Sequence, residues 1–189
     1  MKPLLVGVAG PSGAGKSTVT RLIEAENGNV LRINLDNYFY DINGFPKVNG
    51  VPNWDLPNNI NYELLLGNLR DLKQGKSTKM PFLNKATSER IYEVVEPREI
   101  ILVEGFLLYF DKKVTHLFDK KIYIHVLVRT QLERRLKRET PERAAYVQKV
   151  VIPNFKIYGL PTEKYADVVL SGDKTPEELK SEILEYVFT

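Results

Sequence analysis

Residues 10 to 17 read GPSGAGKS and fit the pattern G-x-x-x-x-G-K-S/T from Gly10 through Ser17. An apolar run, Pro3 to Ala9, precedes them, and a segment that reads as a helix, Lys16 to Glu26, follows. Phosphate oxygens need several donors converging at close range, and glycines let a backbone curl until consecutive N–H groups point inward at a helix N-terminus. Gly10, Gly13 and Gly15 supply that freedom. Lys16 is expected to neutralise the β and γ phosphates of a nucleotide as a point charge, and the Ser17 hydroxyl to ligate magnesium. The nucleotide-binding set expected from this loop is Gly10, Ser12, Gly13, Ala14, Gly15, Lys16, Ser17 and Thr18. The competing reading is a glycine turn that merely joins a strand to a helix. With glycine near 7% of residues, a chance match falls below ~1%, which decides for a triphosphate.

Outward from the loop, apolar runs alternate with amphipathic segments, the pattern of a parallel sheet covered by helices on both faces. Five runs read as buried strands: Pro3 to Ala9, Val30 to Leu35, Ile100 to Glu104, Lys121 to Val128 and Ala166 to Ser171. Helices are predicted over Lys16 to Glu26, Tyr62 to Gln74, Arg129 to Glu139, Glu142 to Tyr158 and Thr175 to Val187. In the second of these, Leu65, Leu69 and Leu72 recur at helical spacing before Gly75. Asn37 to Asn61 holds Gly44, Pro46, Gly50, Pro52 and Pro57 and reads as a long loop built around turns, a length that usually accompanies function. Ser77 to Val95 reads as a small hairpin over the sheet edge. The expectation is a single α/β domain over residues 1–189 with a P-loop NTPase fold. It has a five-stranded parallel sheet with helices on both faces, a substrate-binding insertion at about 37–95 and an arginine-bearing lid at about 129–145.

Composition narrows the class. With 189 residues and 43% hydrophobic content the chain can bury one substantial core. Its 27 Lys and Arg against 24 Asp and Glu leave a formal charge of +3, too small and too evenly spread for a nucleic-acid or membrane surface. Cysteine is absent and only two His occur, which excludes a disulfide scaffold and a thiolate zinc site and argues against His-rich metal binding. No stretch approaches the roughly 20 apolar residues of a membrane span. The apolar part of MKPLLVGVAG is short and runs into the glycine loop that signal-peptide cleavage would remove. The expected location is cytoplasmic, and the expected partners are ATP and a small-molecule acceptor, with neither nucleic acid nor membrane.

A phosphate loop fixes a nucleotide and leaves the reaction open. A GTPase would carry N-K-x-D; the nearest string, NKAT at Asn84 to Thr87, ends in Thr87 where the base-reading Asp should stand. A motor or AAA-type ATPase is usually larger and ends its second acidic strand in a DE pair, whereas IILVEGF ends in Glu104 followed by Gly105. The second predicted strand runs into Asp36 in LDNYFY, so this carboxylate should emerge near the carboxyl edge of the sheet beside the loop. A kinase needs a base there, since removing the proton of an attacking hydroxyl typically contributes roughly 10² to 10⁴ in rate.

These residues, together with NWDLPNNIN at Asn53 to Asn61, ILVEGFLLY at Ile101 to Tyr109, LERRLKRE at Leu132 to Glu139 and LPTEKYADVVL at Leu160 to Leu170, resemble the uridine kinase and phosphoribulokinase family of P-loop kinases. Order and spacing both agree. The resemblance implies an ATP-dependent kinase using Mg2+, with Asp36 as general base, Asp55 hydrogen-bonding ribose hydroxyls and Glu104 supporting magnesium directly or through water. It also implies that Arg134 and Arg138, at i and i+4 on the lid helix, clamp the transferring phosphoryl; Arg135 and Arg143 are expected at solvent, where arginine usually lies. Uridine kinases hold the pyrimidine within a segment like P-x-Y-D-F-x-x-H-S-R. Here PFLNKATSER, Pro81 to Arg90, places Leu83 and Ser88 where the base-contacting Tyr and His stand, and the family's E-R-G-R becomes ERAA at Glu142 to Ala145. Tyr38, Trp54, Phe82 or Tyr146 offers a different stacking surface, and Tyr38 and Trp54 join Asp36 and Asp55 as expected substrate-binding residues. Three readings stay open. The first is a nucleoside kinase taking uridine or cytidine. The second is a kinase for another small metabolite, because EGFLLY and the TPEEL-containing tail also resemble nicotinamide riboside kinases, with phosphoribulokinase and pantothenate kinase as further alternatives. The third is a nucleotide-dependent switch or regulatory ATPase, which has no need of Asp36 with Asp55.

Overall fold

A computed structural model describes residues 2–84, 87, 89–137 and 141–189. The chain opens with β1 (Leu4–Ala9), α1 (Lys16–Glu26) and β2 (Val30–Asn34), followed by two short strands, β3 (Lys47–Val48) and β4 (Val51–Pro52). Next come α2 (Tyr62–Lys73), β5 (Thr78–Asn84), β6 (Glu89–Val95), β7 (Ile100–Gly105), α3 (Lys112–Thr115), β8 (Lys120–His125) and α4 (Val128–Leu136). The rest holds α5 (Pro141–Tyr146), α6 (Ile152–Asn154), β9 (Val168–Ser171) and α7 (Pro176–Phe188).

Five strands form one parallel sheet in the order β2-β7-β1-β8-β9, so the strand leading into the glycine loop lies at its centre. Alternation along each strand divides the core in two. Leu5, Ile33, Ile101, Val103 and Tyr123 pack with Leu65, Leu69 and Leu72 of α2. Val6, Val8, Leu102, Ile122 and Ile124 pack with Val19 and Ile23 of α1 and with Leu179, Ile183 and Val187 of α7. Each such buried side chain contributes about 1.5–3 kcal/mol relative to exposure. Tyr109, fully buried, sends its hydroxyl to the carbonyls of Gly7 at 2.7 Å and Ile122 at 3.0 Å, tying β1 to β8.

The five predicted strands and four of the five predicted helices are present with shifted ends, and Arg138 and Glu139, at the end of the predicted Arg129 to Glu139 helix, lie outside the described residues. β2 stops at Asn34, one residue early, because the Asn34 side chain accepts the Asp36 N–H at 2.8 Å and starts a tight helical turn over Leu35–Tyr38. The fourth strand ends at His125, and Val128 already opens α4. Where one helix over Glu142 to Tyr158 is expected, α5 and α6 are joined and followed by wide turns at Val147–Val151 and Phe155–Gly159. Pro153 explains this: it has no N–H and crowds the carbonyl four residues back, so the helix widens around it. β5 and β6 form the expected hairpin as a separate antiparallel pair. Within the long loop, Lys47–Val48 and Val51–Pro52 pair antiparallel across Asn49 (φ 51°) and Gly50 (φ 79°), an Asn-Gly turn of the kind hairpins favour. Among the described residues no helix is long and apolar enough to cross a membrane.

Candidate active site

The glycine loop connects the central strand to α1, and its shape depends on close packing. Gly10 has φ +144° and an added Cβ would lie 2.3 Å from the Ile124 carbonyl oxygen, so only glycine lets the loop pass over β8. Gly13, Gly15, Lys16, Ser17 and Thr18, with Ser12, line a hollow of about 110 Å³ whose other wall is Asn34, Asp36, Glu104, Gly105 and Phe106. Ala14 is fully buried behind it. The Lys16 ammonium donates to the carbonyls of Gly10 and Pro11, both at 2.8 Å, which holds it over the loop.

Opposite the loop, the Ser17 hydroxyl donates to Glu104 Oε2 at 2.9 Å. Glu104 is 2% exposed. Burial pushes its carboxyl above the usual carboxylate range, a shift opposed by the Lys16 charge, the Ser17 hydrogen bond and Arg32, and reinforced by Asp36 nearby. A buried carboxylate joined to a hydroxyl at the foot of a phosphate cradle is a set of hard oxygen donors, and it fits Mg2+. Among the described residues no cluster of three or more His, Asp and Glu side chains offers a cation an all-protein cage. An ion here would therefore take its remaining oxygens from phosphate and water.

A second cavity, about 540 Å³, adjoins the first. Ser12, Asp36 and Phe106 belong to both walls, and the second is completed by Phe39, Ile42, Gly50, Val51, Pro52, Trp54, Asp55, Arg135 and Tyr146. Its volume falls in the ~300–1,000 Å³ range of small-molecule sites. The Phe39 ring meets Trp54 edge-on at 5.0 Å and Phe45 at 5.8 Å, making an aromatic wall. Asp55, 9% exposed, has its Oδ2 3.3 Å from the Tyr146 hydroxyl, which also accepts the Trp54 N–H at 3.2 Å.

The residues expected from sequence fall unevenly. Asp36, Trp54, Asp55, Glu104 and the loop from Ser12 to Thr18, apart from Ala14, are gathered in these two hollows. Tyr38 is not: it is 1% exposed in the core, its hydroxyl donating to Asn68 Oδ1 at 3.1 Å, while its neighbour Phe39 faces the cavity. Tyr38 closes the helical turn and Phe39 follows it in extended backbone, so the two rings diverge. Arg134 lies on the outer flank of the loop, donating to the carbonyls of Gly13 at 3.2 Å and Gly172 at 2.8 Å, and it lines neither hollow. Arg135, expected at solvent, instead lines the larger cavity and donates to Ser12 Oγ at 3.1 Å. Leu132 and Leu136 pack against Tyr146, Val147, Val150 and Val151, and that docking sets which arginine turns inward. Arg138 and Ser88 lie outside the described residues, as does the Arg143 side chain; Leu83 is half-buried and away from the cavity. Gly50, Val51 and Pro52 enter the wall through the β3–β4 hairpin, whose Asn49-Gly50 pair was the signal available in the sequence.

The phosphoribulokinase/uridine kinase family model matches residues 5–177. A uridine kinase of Brevibacillus brevis is 32% identical over 180 residues, spanning 89% of this chain and 84% of that protein. A uridine kinase of Ligilactobacillus salivarius is 33% identical, spanning 89% and 85%, and uridine-cytidine kinase 2-B of Danio rerio is 30% identical, spanning 89% and 73%. Among solved structures, D-glycerate 3-kinase from Cryptococcus neoformans superposes with a TM-score of 0.67 at 15% identity, covering 92% of this chain and 88% of that one. A structure described as a possible uridine kinase from Bacillus stearothermophilus gives 0.61 at 20% identity, covering 90% and 89%. At these identities the structural likeness establishes the fold, and the sequence matches establish more: the chain is a member of the phosphoribulokinase/uridine kinase family.

Proposed function

We propose that this protein transfers the γ-phosphoryl group of ATP to a hydroxyl of a ribonucleoside, with uridine and cytidine as acceptors. The observation that carries this reading is the place of Asp36 in the walls of both hollows. A hydroxyl entering from the larger cavity meets this carboxylate on its way to the phosphate cradle. Similarity to proteins named uridine kinase and uridine-cytidine kinase supports the acceptor class.

In this reading the acceptor ribose lies against Asp55, whose carboxylate accepts from its hydroxyls, and the base packs on the wall of Phe39, Trp54 and Phe106. Asp36 takes the proton as the hydroxyl oxygen attacks phosphorus, and the bond to the β-phosphate oxygen breaks, leaving ADP. Loop N–H groups and Lys16 face the charge on the phosphate oxygens; a seated triphosphate competes with the Gly10 and Pro11 carbonyls for the ammonium. Ser17 and Glu104 would hold Mg2+, which when bound would neutralise charge on the β and γ phosphates. Arg135 reaches the junction of the two hollows through Ser12.

The test is ADP production with uridine, cytidine, adenosine, nicotinamide riboside, pantothenate and ribulose 5-phosphate, with phosphorus NMR of the product. Highest kcat/KM for uridine or cytidine and a primary phosphate ester are expected. Highest activity with another acceptor would reassign the substrate, and ADP release equal with and without every acceptor would leave a nucleotide switch instead of a kinase.

A further inference from the structure

Arg32 stands in β2 among Val30, Leu31 and Ile33, and its side chain is only 17% exposed. A guanidinium in that position needs a reason, because burying a charge is costly unless it is paired. In the parallel register Asn34 lies beside Glu104 and Arg32 beside Leu102, so Arg32 and Glu104 share one face of the sheet, a diagonal step apart. That is the α1 face. Three elements therefore converge: α1 carrying Ser17 and Glu24, β2 carrying Arg32, and β7 carrying Glu104.

The contacts form a directed chain. Glu24 accepts twice from Arg32, its Oε1 from the backbone N–H at 3.1 Å and its Oε2 from Nε at 3.2 Å. Arg32 Nη1 donates to Glu104 Oε1 at 3.0 Å. The other oxygen, Oε2, receives the Ser17 hydroxyl. A carboxylate's terminal torsion is soft and roughly two-fold, so an isolated Glu104 would sample orientations. With a fork donor on one oxygen and a hydroxyl on the other, that freedom is lost. The fork is itself fixed at two points, since Glu24 grips both the main chain and the side chain of Arg32.

We propose that Arg32 is a positioning residue of the metal–nucleotide site: anchored by Glu24, it occupies Glu104 Oε1 and thereby presents Oε2, beside Ser17, to the magnesium ion that accompanies ATP. The inference rests on the reading of Ser17 and Glu104 as the magnesium-holding pair and extends it to two residues that line neither hollow. A purely structural role, the satisfaction of a buried pair, makes a different prediction: it would alter stability and leave the coupling between metal and nucleotide untouched.

The measurement is the dissociation constant of a non-hydrolysable ATP analogue by calorimetry, in Mg2+ and in EDTA, for the parent protein and for Arg32→Met, Arg32→Lys and Glu24→Gln. The ratio of the two constants reports coupling independently of turnover. Arg32→Met should leave the metal-free affinity within about twofold and lower the magnesium enhancement by about tenfold, the loss of one charge-assisted hydrogen bond in positioning. Arg32→Lys should recover part of the enhancement, and Glu24→Gln should lower it about threefold. An unchanged ratio in folded Arg32→Met, with a magnesium-dependent parent, overturns this inference alone. Should Arg32→Met fail to fold, Glu24→Gln decides: an unchanged ratio there overturns the inference. A parent protein whose affinity is the same in Mg2+ and EDTA would overturn the magnesium reading, and this inference with it.

Discussion

Arg134 and Arg135 are consecutive in α4 and hold consecutive residues of the glycine loop, Arg135 through Ser12 Oγ at 3.1 Å and Arg134 through the Gly13 carbonyl at 3.2 Å. The two guanidiniums work on opposite sides of the same backbone, and they should separate kinetically. Arg135→Ala should lower kcat/KM for the acceptor about 10–100-fold with ATP affinity within threefold, the scale of one lost hydrogen bond from a charged donor. Arg134→Ala should weaken ATP binding about fivefold and leave the acceptor KM unchanged. Steady-state kinetics in both substrates, with direct ATP titration, checks the pair; identical profiles for the two variants would contradict the geometry.

Asp36→Asn keeps the size of the side chain and the hydrogen bond from its N–H to Asn34, and removes the base. Turnover should fall at least roughly 10²-fold while ATP still binds. Undiminished turnover removes Asp36 from the chemistry.

Tyr146 and Asp55 offer a graded pair. Asp55→Asn should raise the acceptor KM about 10-fold or more. Tyr146→Phe, which deletes the hydroxyl shared among Asp55 Oδ2, the Pro52 carbonyl and the Trp54 N–H, should raise it about 3–10-fold with a smaller change in kcat. The double variant should cost less than the product of the two, because both act on one contact. A fully multiplicative effect would show that Tyr146 acts elsewhere.

Tyr109 tests the frame without touching the cleft. Its buried hydroxyl serves the carbonyls of Gly7 and Ile122, so Tyr109→Phe removes a buried hydrogen bond between strands that keep their ladder pairing. The expected loss is about 0.5–1.5 kcal/mol, or roughly 2–4 °C in Tm for each kcal/mol in a chain of this size. Thermal unfolding measures it, and kcat should be unaltered.

The sheet was legible because its strands alternate apolar residues toward two helical layers, a pattern fixed by the pleat alone. Ser12 through Ser17 was legible because the phosphate loop is a local device, with spacing, glycines and the following helix all contiguous. Asp36 and Glu104 could be placed because each stands at the end of a strand. Tyr38 against Phe39 could not be separated by spacing, since Tyr38 ends the short helical turn opened by the Asn34 cap and Phe39 is the extended residue after it. The exchange of Arg134 for Arg135 had a similar origin: α4 is short and polar, and its rotation is set by Leu132 and Leu136 docking on a segment ten and more residues later. Arg32 was invisible for a further reason. An arginine in an apolar strand reads as an edge residue, and only the fold brings Glu24 and Glu104 to either side of it.

Ser12, Asp36 and Phe106 are common to both hollows, which therefore adjoin across these three side chains. On the proposed function, a nucleoside carrying a run of phosphates would reach from the larger hollow into the phosphate cradle. Once either half is seated, the other meets its own pocket at an effective concentration in the millimolar range, so such a bridged compound should outbind each fragment by orders of magnitude.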